Sequence, residues 1–320
     1  MFRQAVTWKT ILDQPAGWYK TAEAQKIAQN VLLYQHVNGG WEKNLDMLKP
    51  PKTPPKETTI DNGATTTQIE FLARVGTPEF QAAALKAIDY LLGAQYPNGG
   101  WPQFWPLKKG YYTHITFNDD AMTRALTVLR DVAQNKPVYT FVDAGRRQKC
   151  AAAVTKGIAC ILKCQVVIKG KKTAWCAQHD EVTFAPAKAR AYELPSLSGS
   201  ESVHILRFLM GDKPTPQLTE AIEGGVAWLK VNQLTGIRIE KKNGDAFVVP
   251  DPAAPPLWAR FYDLETGKPF FCGRDGIKKN SMAEIEKERR TGYSWYTNRG
   301  NQLLKDDYPA WKNHVKPKPS

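Results

Sequence analysis

The chain has 320 residues, room for one large domain or two ordinary ones. With 42% hydrophobic residues, 23% charged residues, 10 Trp, 12 Tyr and 12 Phe, it can bury a substantial core, which excludes general disorder. Lys and Arg outnumber Asp and Glu by 44 to 31, a net charge of +13, and residues 141–190 hold ten basic against three acidic residues. Such a field attracts polyanions: nucleic acid, an anionic membrane surface or an acidic polysaccharide. Charge alone does not choose among them.

In chain order, the N-terminal stretch MFRQAVTWKTILDQPAGW has no apolar signal core, and no uninterrupted apolar run approaches the roughly 18 residues of a membrane helix. The expectation is a protein that stays inside the cell, or a module cut from a longer precursor. Helical runs follow at Ala22–Gln35, Gly63–Val75, Glu79–Gln95, Asn118–Ala133, Ala151–Gln165, Glu201–Met210 and Thr219–Gln233, with apolar residues recurring at intervals of three and four. Asp61-Asn62 and Asn118-Asp119-Asp120 stand where helices begin, a place that suits carboxylates as caps. Arg238–Val249 alternates like a strand. Pro50–Lys56 and Pro250–Pro256 are stiff loops, and Lys316–Ser320 is expected to be a loose tail.

One phrase occurs twice. Gln35-His36-Val37-Asn38-Gly39-Gly40-Trp41 returns as Gln95-Tyr96-Pro97-Asn98-Gly99-Gly100-Trp101, each after a helical run, with Asn-Gly-Gly expected to stop the helix. The runs ending at Gln165 and Gln233 extend the series. Repetition at this spacing predicts stacked or toroidal helical hairpins. The tryptophans of the repeated phrase are expected as wedges between hairpins, while Trp105 and Trp175 are candidates to stack on a sugar ring. Five cysteines (150, 160, 164, 176 and 272) form no Cys-x-x-Cys pair, and Cys160 and Cys164 have the spacing of core packing. Cys176 and His179 lack the second ligand pair of a zinc site, so His114 and His179 are expected to have structural roles.

Several segments carry more polar and aromatic residues than core packing needs: DNGATTTQ from Asp61, NGGWPQFWPL from Asn98 and THITFNDDAM from Thr113. They continue with WCAQHD, KARAYELPSLSGSES, WARFYDLETG, GRDG and ERRTGYSWY. Together, from about Trp18 to Trp311, they resemble the family 10 polysaccharide lyases, pectate lyases that cleave polygalacturonate. The resemblance implies an all-α, mainly helical fold: an incomplete (α/α) toroid or barrel of helical hairpins with long loops and a few short strands, in a single catalytic domain over residues 1–320. It implies calcium as cofactor, polygalacturonate as substrate, anti β-elimination and secretion, although the chain shows no export signal. A monomer that binds neither nucleic acid nor membrane is expected.

By position, the resemblance makes Arg274 the catalytic base and places Asp61 and Asp119 at the calcium site, with Asp120 as a further metal candidate. Lys163, Arg190 and Arg260 would hold substrate carboxylates, and Asn62 and Tyr192 would line the groove. The chemistry is coherent. Abstraction of the proton beside a uronate carboxylate builds charge on that carboxylate, which cations stabilise more in the transition state than in the ground state. Arginine grips a carboxylate with two parallel bonds, and calcium takes oxygen ligands. Arginine as base requires a strongly lowered pKa, toward which partial burial and neighbouring cations would push it. Two other enzyme or binding classes compete: an (α/α)-barrel glycoside hydrolase using Asp61 and Asp119 as its acid pair, and a non-catalytic polyanion-binding protein, for which no nucleic-acid motif is found.

Overall fold

A computed structural model describes residues 5–315; the tail expected at Lys316–Ser320 lies outside the described residues. The chain divides into two compact units between Ala159 and Cys160. The first unit holds α1 (Ala22–Leu33), α2 (Thr66–Val75), α3 (Pro78–Ala94), α4 (Ala121–Ala133) and the start of α5 (Ala144–Cys164). The second holds α6 (Glu201–Met210), α7 (Pro216–Val231), α8 (Lys287–Gly292), α9 (Arg299–Gln302) and α10 (Tyr308–Val315). The fold is mainly helical, as expected. None of the described helices is long and apolar enough to cross a membrane.

The helices begin and bury themselves for local reasons. The Thr21 hydroxyl accepts from the Ala24 N–H to cap α1, and Thr215 does the same for Leu218 with Pro216 at the first position of α7. In α4 the buried positions Ala121, Met122, Ala125, Leu126, Val128, Leu129 and Val132 form one apolar stripe. The alternating run expected as a strand is instead a hairpin. Ile237–Lys242 pairs antiparallel with Asp245–Pro250 and turns at Asn243-Gly244, both with positive φ, +54° and +65°. In the second unit an aromatic core gathers Tyr192, Phe261, Phe270, Phe271 and Trp295 with Met282 and Ile285.

A four-fold hydrogen-bonded device underlies the sequence repeat. The indole Nε1–H groups of Trp41, Trp101, Trp175 and Trp258 donate to the carbonyls of Val31, Leu91, Ile161 and Leu229, each at 2.8 Å. Every acceptor lies four residues before the glutamine that ends its helical run: Gln35, Gln95, Gln165 and Gln233. The residue after each glutamine (His36, Tyr96, Val166, Leu234) donates its N–H to the carbonyl just before the tryptophan, at 2.8–3.1 Å. All four indoles are fully buried. A buried indole N–H needs an acceptor, and the helix end has carbonyls to spare.

The glutamines do parallel work. Gln35 Nε2 donates to the carbonyls of Gly39 (2.9 Å) and Ala83 (3.0 Å), Gln95 Nε2 to Gly99 (3.1 Å) and Ala153 (2.9 Å), and Gln165 Nε2 to Thr173 and Ala221, both 2.8 Å. Each side-chain amide thus ties its own turn to a helix further along the chain: α1 to α3, α3 to α5 and α5 to α7.

Asn-Gly-Gly does not stop these helices. α1 ends at Leu33 and α3 at Ala94, before the motif begins. The glycines serve a close approach instead. A Cβ on Gly39 (φ +97°) would lie 2.4 Å from the Lys86 carbonyl oxygen, and one on Gly99 (φ +94°) 2.1 Å from that of Lys156. The expected wedge role of Trp41 and Trp101 takes the form of these buried staples, and Trp175 is too deeply buried to stack on a sugar. All five cysteines are free and buried, in keeping with core packing.

Gly99→Ala should therefore lower unfolding free energy by at least about 2 kcal/mol, from backbone strain plus the clash with the helix carbonyl. Gly170→Ala, at φ +74° with open space around it, should cost only about 1 kcal/mol. Urea denaturation of the two variants measures the difference; equal losses would remove the close approach as the reason for the motif.

Candidate active site

In the first unit the repeat delivers two acidic turns. The Thr59 N–H donates to the Trp41 carbonyl, and the Thr116 N–H to the Trp101 carbonyl, each at 3.1 Å. Two residues after each threonine comes a short turn, Asp61–Gly63 and Asn118–Asp120, and the two turns pack against each other. Their backbones match: Asn62 (φ 52°, ψ 30°) and Asp119 (φ 51°, ψ 31°) occupy the same left-handed place, which Asn and Asp tolerate best. Asp61 therefore corresponds to Asn118, and Asn62 to Asp119. The two aspartates brought together are not equivalent positions. Nor do they cap: the caps of α2 and α4 are Thr65 and Asp120, and neither makes a side-chain capping bond.

Asp61 is 2% exposed. Its Oδ2 accepts from Lys43 Nζ, while Oδ1 is buried with no hydrogen-bond partner among the described residues. Asp119 is half-buried, with Oδ2 accepting from Asn118 Nδ2 at 2.7 Å. Asp120 is buried beside it, and exposed Asn62 donates to Asn44 Oδ1 at 3.0 Å. Asn62, Lys43 and Arg124 line a cleft of about 940 Å³; Asp61 does not. Asp61, Asp119 and Asp120 offer only oxygen donors, and the orphaned buried oxygen of Asp61 suits a hard divalent cation such as calcium.

In the second unit the cationic candidates form a ladder with tyrosines. Arg289 and Arg190 pack their guanidinium carbons against Tyr192, at 4.6 and 5.1 Å from its ring centre. Arg190 and Arg260 do so against Tyr293, at 5.7 and 4.6 Å. Each arginine also holds a carboxylate. Arg190 grips Glu193 through Nε (2.8 Å) and Nη2 (2.6 Å), and Tyr293 Oη donates to the same carboxylate at 2.8 Å. Buried Arg260 donates from Nη2 to Glu201 Oε1 at 2.7 Å, and Ser198 Oγ donates to Glu201 Oε2. Burial works against ionisation of Glu193, but the Arg190 guanidinium outweighs it and holds the carboxyl below its usual range. Arg190 is in turn disfavoured by burial yet more than compensated by Glu193, so its pKa rises.

Arg274 is placed differently from expectation. Its side chain is 64% exposed, and it donates from Nε (3.2 Å) and Nη2 (2.9 Å) to Glu288. That bond raises its pKa above the ordinary arginine value, the reverse of the lowering that partial burial would bring. Glu288 also accepts from Arg289, and the two guanidiniums, Arg289 first, hold its pKa down to about 2. Lys163 is exposed in the last turn of α5, with Nζ 5.2 Å from the centre of the Phe184 ring. His179 is structural, as expected: Nε2 accepts from the Cys176 N–H at 3.0 Å and Nδ1 faces the Phe184 carbonyl at 2.8 Å. Burial pushes its pKa down to about 4, so the ring is neutral.

Sequence reasoning missed Lys43, Glu193, Glu201, Glu288, Arg289 and Tyr293. Glu193 stood in plain view, three residues after Arg190 within KARAYE, and Glu288-Arg289 opens ERRTGYSWY. The others, Lys43, Glu201 and Tyr293, reach Asp61, Arg260 and Glu193 across 18, 59 and 100 residues, beyond any spacing rule.

Residues 34–304 match the family model for pectic acid lyase. No curated protein matches the sequence. Among solved structures, the family 10 polysaccharide lyase from Cellvibrio cellulosa is 41% identical, with a TM-score of 0.85 over 93% of this chain and 97% of that one. An Asp-to-Ala mutant of that lyase, in complex with trigalacturonic acid, is 40% identical, with a TM-score of 0.85 over 96% of this chain and 99% of the other. With its acidic turns, its arginine ladder and this likeness along nearly its whole length, the chain belongs to the pectic acid lyases, among the family 10 polysaccharide lyases.

Proposed function

We propose that this chain is a single catalytic module that cleaves polygalacturonate outside the cell by calcium-dependent anti β-elimination, leaving an unsaturated uronide. The observation that carries the reading is the pair of packed turns, with the buried Asp61 carboxylate lacking a partner at Oδ1 among the described residues. The likeness to a lyase crystallised with trigalacturonic acid supports the substrate class. Asp61 and Asp119 are assigned as cation ligands, with Asp120 beside them and Asn62 lining the approach. Bound there, calcium would neutralise a uronate carboxylate and make the adjacent C–H more acidic.

The remaining work falls to cationic side chains. Arg190 spends Nε and Nη2 on Glu193, which leaves its Nη1 edge to face a uronate carboxylate. Glu193 and the Tyr192 and Tyr293 rings fix the guanidinium plane in advance, so little orientation is lost when charge builds on the substrate. Arg260, stacked on Tyr293 and bonded to Glu201, is held with the same economy of movement. Lys163, an exposed point charge, steers the polymer. Arg274 is assigned as the base that takes the C5 proton. Because Glu288 stabilises its protonated form, the neutral form is scarce at neutral pH and grows as pH rises, which supports an alkaline optimum.

Purified protein on polygalacturonate should produce an ultraviolet-absorbing product, lost in excess chelator and restored by calcium; a product without that absorbance would point to hydrolysis. Arg274→Ala should cut kcat by roughly 10²-fold or more, the usual worth of a general base, while polymer binding measured by affinity electrophoresis stays near wild type. Glu288→Gln removes the charge that holds Arg274 protonated. The acidic limb of the pH–rate profile should then move to lower pH, and an unmoved or rising limb would argue against the base assignment.

A further inference from the structure

We infer that Lys43 is a built-in counter-ion for Asp61, which holds the carboxylate in place until a divalent cation displaces the ammonium. The inference rests on the calcium reading above and adds a residue to it. Three observations carry it. Lys43 lines the cleft and its side chain is 30% exposed, whereas the side chain of Asp61, whose Oδ2 it binds, is 3% exposed and does not reach the cleft surface. The ammonium therefore covers the carboxylate on its open side. Second, Asp61 Oδ1 is buried without a hydrogen-bond partner among the described residues, so Lys43 alone compensates the charge only in part. A buried carboxylate with an unfilled oxygen retains a strong demand for positive charge.

Third, the repeat supplies an internal control. Trp41 and Thr59 are joined by a backbone bond, and Lys43 and Asp61 each lie two residues further on. At the corresponding places after Trp101 and Thr116 stand Gln103 and Asn118, both neutral and both buried. The same local fold forms without an ion pair, so the Lys43–Asp61 pair is not a requirement of the turn.

The choice of lysine is telling. In the second unit, Arg190 and Arg274 clamp Glu193 and Glu288 through two bonds each. A lysine offers one compact charge on a flexible stem, matches no carboxylate edge, and can withdraw with little strain. Here its Nζ also lies 5.4 Å from the centre of the Phe104 ring, a secondary attraction within the same small space.

The test is isothermal titration of calcium into the whole protein without substrate, for wild type, Lys43→Met and Lys43→Gln, with melting temperatures recorded with and without calcium. Removing the competing charge should tighten calcium binding about tenfold, within the usual range of coupling between two ligands of one site. Calcium should also raise the melting temperature of both variants more than that of wild type. Unchanged or weaker binding in the variants would overturn the assignment. Should Lys43→Met not fold even with calcium, Lys43→Gln, which keeps a neutral donor to Oδ2, decides alone. Equal affinities in wild type and variant would sink only the role of Lys43. Undiminished cleavage of polygalacturonate by wild type in chelator would sink the calcium reading itself.

Discussion

A buried indole N–H calls for an acceptor, and at four places in this chain the acceptor is the same carbonyl of the same helical turn. Trp41, Trp101, Trp175 and Trp258 each reach back to a carbonyl four residues before a helix-ending glutamine. The unmet hydrogen bond would cost about as much as any single core contact contributes. From that bond the rest follows in sequence. It fixes the chain just before the tryptophan against the residue after the glutamine. It thereby fixes the backbone that receives Thr59, Thr116 or Ser198, each of which donates its N–H to the tryptophan carbonyl. Beyond those residues lie Asp61, Asp119 and Glu201. The chemistry stands two or three residues past a purely structural staple.

The two units use charge in contrasting ways. In the first, carboxylates are concentrated in short turns with left-handed residues at their centres, and compensation is incomplete: one carboxylate oxygen of Asp61 finds no partner among the described residues. In the second, Arg190, Arg260 and Arg289 are each paired to a glutamate and packed against a tyrosine ring. A paired guanidinium presents a fixed edge and direction more than a net charge. Electrostatic stabilisation of a developing carboxylate charge depends on such fixed donors, because they need no reorganisation as the reaction proceeds.

Much of this was legible in the sequence, for identifiable reasons. Helical periodicity located all seven main helical runs, and α6 matches its expected span, Glu201–Met210. The Asp-Asn-Gly and Asn-Asp-Asp segments stood out as candidate helix caps, and the structure makes them turns with left-handed residues at their centres instead. Less accessible was anything set by a partner distant in the chain. Asn-Gly-Gly reads locally as a helix stop, yet its glycines answer to the carbonyls of Lys86 and Lys156. Arg274 reads as a residue to be buried and made basic, yet Glu288, fourteen residues on, holds it exposed and protonated. The strand expected at Arg238–Val249 folded on itself because Asn243-Gly244 supplied two left-handed residues at its centre.

The staple also constrains only its ends. Glutamine and tryptophan are six positions apart in the first two copies, ten in the third and 25 in the fourth, where the hairpin of Ile237–Lys242 and Asp245–Pro250 fills the interval. The closing bonds are unchanged by this. Evolution has thus had a protected span in which to lengthen the chain without retuning the helices on either side. The same span, with its exposed tip at Asn243-Gly244, is the natural seam at which a foreign peptide or reporter would be spliced into this scaffold.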